Sequence, residues 1–304
     1  MTSCEFNRIN LALKKMSHLL TGLIIPLNTV MWKWFQSWSN LQPENYVYPT
    51  LMIVTILGSG TSQGVPVIAC DCSVCRSAAP QDNRTRSSVM ISLDEKNIVI
   101  DSGPDFRQQM LREKIKSIDG IVFTHEHKDH IAGLDEVRAF NYFNNWRAQV
   151  YCTEKVKDAL HREFHYAFSE TRYPGIPEID INLISNTDFT VAGIPFKPIE
   201  VMHMHMPVLG YRIGDFTYIT DANLISEQEK EKVKGSQVLI LNALRKEKHP
   251  SHFNLEEALQ LIEELEPDMA YLTHISHQFG LHEIEEKNLP PHVRIAYDGL
   301  KIQI

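Results

Sequence analysis

Between Thr124 and Asp135 the sequence reads THEHKDHIAGLD, which places His125, His127, Asp129 and His130 within one short stretch, with Gly133 just beyond. Imidazole and carboxylate are ligands that Zn, Mn or Fe accept, and four of them this close can reach only one or two ions. A second cluster, Cys70, Cys72 and Cys75, has the spacing C-x-C-x-x-C inside a polar stretch. Three thiolates leave a tetrahedral zinc one ligand short, so a structural site there needs a fourth partner from elsewhere. The remaining cysteines, Cys4 and Cys152, stand apart. With no clear secretory signal, this clustering points to metal binding rather than a disulfide framework, and thiolate ligands need a reducing compartment. Cytoplasm is the expected location.

The elements that must position these groups can be read from periodicity. Gly120–Phe123 is a short apolar run that reads as a buried strand ending where the histidines begin. Alternation at its end would point His125 and His127 to one side, and the following turn would bring Asp129 and His130 back toward them. That arrangement suggests two adjacent metals. Asn97–Gly103 reads as another strand and carries Asp101 near its end; Phe216–Thr220 runs into Asp221, a carboxylate able to bridge two cations. Phe196–Val201 leads into Met202–Pro207, where an extended chain would put His203 and His205 on the same face, so pattern alone does not choose between them. Asn254 can cap a helix with Glu257 at its third position, and His252 stands just before that cap, where the helix does not require it. Met269–Thr273 is the last core strand before His274, with His277 and His282 beyond. A helix over Glu154–Phe168 carries His161 and His165 four apart, without companions, as a solvated face. Arg294–Tyr297 and Lys301–Ile304 read as closing strands around Asp298–Gly299, a hairpin signal.

The 304 residues allow one large or two smaller domains. A net charge of −8 gives no sign of a nucleic-acid surface, so DNA is not expected and a large RNA is disfavoured. Residues 1–50 differ from the rest: Lys14 and Lys15 precede an apolar stretch, Leu19–Trp32, that is too short to span a bilayer and is interrupted by Pro26 and Asn28. No small-x-small cleavage site follows. The segment is expected to be a poorly ordered extension upstream of a natural start at Met52, with a peripheral membrane helix as the alternative. Residues 51–304 form the expected ordered domain.

The stretch THEHKDHIAG resembles the metal-binding signature of the metallo-β-lactamase superfamily at every signature position. The resemblance implies an α/β fold, an αββα sandwich of two mixed sheets flanked by helices. It implies His125, His127 and His203 on one divalent ion, Asp129, His130 and His274 on the other, and Asp221 bridging them; Asp101 would support the site from behind. LGSGTSQGVP followed by the cysteine cluster is similar to the phosphonate-pathway cyclic phosphodiesterases, in which a histidine near the C-terminus completes a structural zinc. That role would fall to His277, with His282 as the alternative. The implied activity is metal-dependent hydrolysis of small or cyclic phosphodiesters with two Zn or Mn ions. Asp129, Asp221 and His252 would be the catalytic set, His252 as general acid or oxyanion support. The same ligands suit a tRNA-processing endoribonuclease or a thioester or lactone hydrolase. A quinone-pathway carrier shares a similar cysteine cluster but departs from the full signature that this chain keeps. A homodimer stays open.

Overall fold

Period-two alternation divides each central strand between two cores. In Lys96–Ile100, Ile98 and Ile100 face one apolar cluster and Val99 the other; in Val238–Asn242, Val238 and Ile240 alternate with Leu239 and Leu241 in the same way. Strands buried on both faces become continuous apolar runs, as both do here. The computed structural model describes residues 51–170 and 173–304. The extension expected over residues 1–50, its peripheral-helix alternative and Cys4 lie outside the described residues.

The chain begins with β1 (Ile53–Gly58), β2 (Ser88–Leu93), β3 (Lys96–Ile100), helix α1 (Phe106–Arg112), β4 (Gly120–Val122), α2 (Lys128–Ile131), α3 (Arg138–Asn144), β5 (Ala148–Cys152), α4 (Glu154–Glu163) and β6 (Ile179–Leu183). It continues through β7 (Phe189–Val191), β8 (Ile194–His203), β9 (Met206–Ile213), β10 (Phe216–Ile219), β11 (Leu224–Ile225), α5 (Glu227–Val233), β12 (Val238–Asn242), α6 (Leu255–Leu265), β13 (Met269–Thr273), α7 (His282–Glu286), β14 (Val293–Ile295) and β15 (Lys301–Gln303). Among the described residues these strands form two mixed sheets, one in the order β15-β1-β2-β3-β4-β5-β6, the other β11-β8-β9-β10-β12-β13-β14 with β7 added against β8. Val54, Ile56, Val122, Tyr211, Phe216, Tyr218 and Ile240 fill the space between the sheets. The helices cover the outer faces: α1 and α4 belong to the cluster of the first sheet, α5 and α6 to that of the second. This is the expected αββα sandwich. No described helix is long and apolar enough to cross a membrane.

Two sequence expectations are corrected. The last two strands do not form a hairpin: β14 pairs with β13 in one sheet and β15 with β1 in the other. Asp298 belongs to the crossing segment, where its carboxylate accepts from the amides of Ser59 and Thr85 and from Arg112. The helix expected to Phe168 ends at Glu163, and a short 3-10 turn, His165–Ala167, follows. Asn254 does cap α6, and Glu257 returns the bond to the Asn254 amide.

Candidate metal centre

The site lies where parallel strands of both sheets end, the edge of open α/β sheets at which ligands bind. β3 and β4 run parallel in one sheet, β10, β12 and β13 in the other. Asp101 and His274 each follow one of these strands directly and Asp221 stands one residue beyond another, and all three adopt left-handed backbone, with φ of +66°, +58° and +56°. For a non-glycine residue such a conformation costs on the order of 1–3 kcal/mol, and it persists only where the surroundings over-determine it. It turns the chain sharply at the strand end. No periodicity in the sequence announces it.

Asp101 is fully buried and organises the first sheet's contribution. Its carboxylate accepts from the Thr124 amide at 2.8 Å, the Thr124 hydroxyl at 2.8 Å and His130 Nδ1 at 2.7 Å. Thr124 has given its only hydroxyl proton to Asp101, so His125 Nδ1, 2.9 Å from that oxygen, must be the donor between them. Both histidines are thereby held with the proton on Nδ1 and the lone pair on Nε2. Both Nε2 atoms are buried without a hydrogen-bond partner among the described residues. His130 Nε2 lies 3.2 Å from an Asp129 oxygen and 3.1 Å from an Asp221 oxygen. Lone pairs facing carboxylates are unfavourable unless a cation intervenes, so these residues fit divalent metal ions. Without one, His130 is drawn toward protonation: burial resists it, but Asp129, Asp221 and Asp101 raise its pKa well above the usual value. Burial likewise opposes ionisation of Asp221, and His274 and His130 overcome it to hold the carboxyl well below its usual range.

Asp221 is the hub. Beyond His130, one of its oxygens lies 3.2 Å from His274 Nδ1 and the other 3.8 Å from His252 Nδ1. Three groups of donor atoms share it: His125 and His130; His203 and His252; Asp129 and His274. His127 is exposed at the rim, its ring 4.7 Å from that of His125 and 5.2 Å from that of His203. All the expected active-site ligands are therefore gathered, but the donor groups cut across the division into two sets of three that the resemblance implied, and they draw in His252. That histidine is 8% exposed, its ring 4.6 Å from His203 and 4.8 Å from His274.

The choice between His203 and His205 turns on a feature that the extended reading missed. His203 ends β8 opposite Met206 on β9, and Met204 and His205 form the two-residue turn between them. His203 points to the cluster and donates from Nδ1 to the Ser251 carbonyl at 2.7 Å. His205 is exposed. Close approach of backbone fixes the loop carrying the first ligands: a Cβ on Gly133 would lie 2.0 Å from the Gly103 carbonyl oxygen, and one on Gly103 2.0 Å from that of Asp129.

A separate group joins Cys70, Cys72, Cys75 and His277. The three sulfurs lie 3.2, 3.5 and 3.5 Å from His277 Nδ1. An amide hydrogen bond from Cys75 lowers the Cys72 thiol to about 6, while burial raises Cys75 to about 11. His282 is not part of this group: Arg84, itself buried, hydrogen-bonds its Nδ1 at 3.1 Å. His161 and His165 are exposed on and after α4, away from both groups, and the first stacks on Phe168.

The model of the beta-lactamase superfamily domain matches residues 96–275, more than half of the chain. The chain belongs to the metallo-β-lactamase superfamily. As a member, it has the fold of a metal-dependent hydrolase and a site that carries divalent ions. A solved structure described as a new diphosphatase from the PhnP family is 40% identical; the match covers 83% of this chain and 98% of that one, with a TM-score of 0.78. This metallo-β-lactamase-fold chain thus falls in the PhnP family. An octanoyltransferase from Porphyromonas gingivalis is also 40% identical, over 249 residues, 81% of this chain. The chain spans only half the length of that relative. Zinc-bound PqqB from Methylobacterium extorquens, 20% identical over 83% of this chain and the whole of its own, superposes with a TM-score of 0.69 and shares the fold.

Proposed function

We propose that this protein hydrolyses a P–O bond in small phosphodiesters, cyclic ones included, with two divalent ions, zinc or manganese, held around Asp221. The observation that carries the reading is the convergence of His125, His130, His203, Asp129 and His274 on that one buried carboxylate, with the imidazole lone pairs of His125 and His130 left bare. Two ions there supply Lewis acidity toward phosphoryl oxygens and bring the pKa of a water to about 7. Asp221 and Asp129 hold the cations, and Asp101 and Ser251 orient the imidazoles. For a phosphodiester, such ions would also neutralise the charge carried by the phosphoryl oxygens in the transition state. His252 acts as a neutral partner. Burial first, and then His274, push its pKa down to about 3, so at neutral pH it offers a hydrogen bond to a phosphoryl oxygen rather than a proton to the leaving group. Cys70, Cys72, Cys75 and His277 hold a structural zinc, which fits a reducing, cytoplasmic setting.

A second reading is hydrolysis of a diphosphate anhydride, supported by the 40% identical PhnP-family structure described as a diphosphatase. It needs the same site residues. The half-length match leaves the octanoyltransferase name to the whole of that protein. The test is turnover of the metal-loaded chain on a generic phosphodiester, an asymmetric diphosphate diester, a phosphomonoester, a thioester and a lactone. Selective cleavage of the diester or the diphosphate is expected. Cleavage of only the thioester or lactone would overturn the reading.

A further inference from the structure

His274, His252 and His249 form a row of rings that runs from the interior to the surface. Neighbouring centroids are 4.8 and 5.2 Å apart, and exposure rises from 1% at His274 through 8% at His252 to the half-buried His249. The first two belong to the cluster around Asp221, whereas the third has no place in it. Its orientation is nevertheless fixed. The Ser251 amide donates to His249 Nδ1 at 3.4 Å, and the Ser251 hydroxyl lies 3.2 Å from the same nitrogen. An amide can only donate, so His249 Nδ1 carries the lone pair and Nε2 carries the proton.

Ser251 therefore sets two tautomers in opposite senses. Its carbonyl takes the Nδ1 proton of His203 and leaves that ring's Nε2 as a bare acceptor, the form that ligates a cation. Its amide takes the Nδ1 lone pair of His249 and leaves Nε2–H as a donor, the form that contacts an anion. That donor has no partner among the described residues. Arg245 bears on the same ring with positive charge, while its guanidinium is held by the Gln278 side chain at 2.6 Å and the Lys248 carbonyl at 3.3 Å. An ordered, uncharged donor at the mouth of a cation-binding site, in a positive field, suits a phosphoryl oxygen.

We propose that His249 is a substrate-contacting specificity residue, whose Nε2–H donates to a phosphoryl oxygen of the bound substrate that does not take part in bond cleavage. The inference rests on the phosphohydrolase reading and deepens it. Ser251 is then a positioning residue that aligns a ligand histidine and a substrate histidine through one peptide unit.

The experiment compares full-length, metal-loaded wild type with His249→Ala and His249→Gln on the phosphate substrate that wild type cleaves best, using inorganic phosphate as a competitive inhibitor. Losing a hydrogen bond to a charged group predicts that KM and the phosphate inhibition constant both rise about tenfold in the alanine variant. The value of kcat should fall by less than about threefold, because the contact is made equally in the ground and transition states. Glutamine, which keeps an N–H at similar reach, should recover most of the loss. Metal content stays at the wild-type level in both variants. Unchanged KM and phosphate inhibition in His249→Ala would overturn the proposal, as would loss of metal from it, which would make the residue a support for His203. Wild type inactive on every phosphate substrate would instead overturn the reading beneath it.

Discussion

Asp101 shows how one buried side chain can govern a metal site that it does not enter. It fixes the protons of His130 directly and of His125 through Thr124, so removing it frees both rings without deleting a ligand. Asp101→Ala should lower affinity for the active-site ions about 10- to 100-fold, the usual effect of losing such a partner. Competition with a chelator measures this, and an ion held by the separate group of Cys70, Cys72, Cys75 and His277, which Asp101 does not touch, should remain bound. Acid sensitivity belongs to the same scale. His252 has a folded pKa of about 3, below the ordinary histidine value near 6.5. The unfolded chain binds its proton first as pH falls, so stability is complete above about 6.5 and is lost toward 3, by up to about 1.4 kcal/mol per pH unit for this group. His125 and His274 are lowered in the same sense. His130 is raised, so its contribution is lost only as pH climbs above the ordinary value. Urea midpoints of the metal-free chain should therefore fall between pH 6.5 and 4; a flat profile would contradict the burial of these rings as neutral groups. The gathering of these side chains around Asp221 was legible because imidazole and carboxylate at H-x-H-x-D-H spacing have few other uses. His249 was not, because its significance lies in which ring nitrogen Ser251 occupies.

At the scale of elements, the site depends on loops pressed against strand ends. Gly133 follows α2 and abuts the Gly103 carbonyl, with Phe106 Cβ 2.7 Å from where its own Cβ would stand. Gly133→Ala should cost about 1–3 kcal/mol by overpacking and push the loop carrying Asp129 and His130 outward. Urea denaturation reads the first effect and metal content the second; an alanine variant with wild-type values for both would show that the backbones can separate freely. The strands themselves were legible where apolar runs stood out, as in β10 and β13. Two misreadings have physical causes. Asp298–Gly299 carries a turn signal, but local chemistry says nothing about which sheet edge each flanking strand joins. Met202–Pro207 alternates like a strand, yet Met204 takes a left-handed φ of +60° and closes a hairpin. The same conformation at Asp101, Asp221 and His274 places the site, and it was equally silent in the sequence.

The whole molecule couples its two candidate metal sites through one short segment. His274 belongs to the cluster around Asp221, and His277, three residues on, to the cysteine group. Between them Ile275 pairs with the loop after β1, its amide bonding Ser59 and its carbonyl accepting from Thr61. Thr61 in turn places its hydroxyl 3.2 Å from His274 Nε2. The two sheets meet at this edge, so the sandwich, the structural site and the cation cluster form one assembly around Asp221. The most direct test of that account is titration of the metal-stripped chain with zinc or manganese while phosphodiester turnover is followed, alongside Asp221→Ala. The account predicts that turnover appears as the ions around Asp221 bind, beyond the one equivalent held by the cysteine site, and is abolished in the variant. Turnover at full rate without added metal, or undiminished in Asp221→Ala, would contradict it.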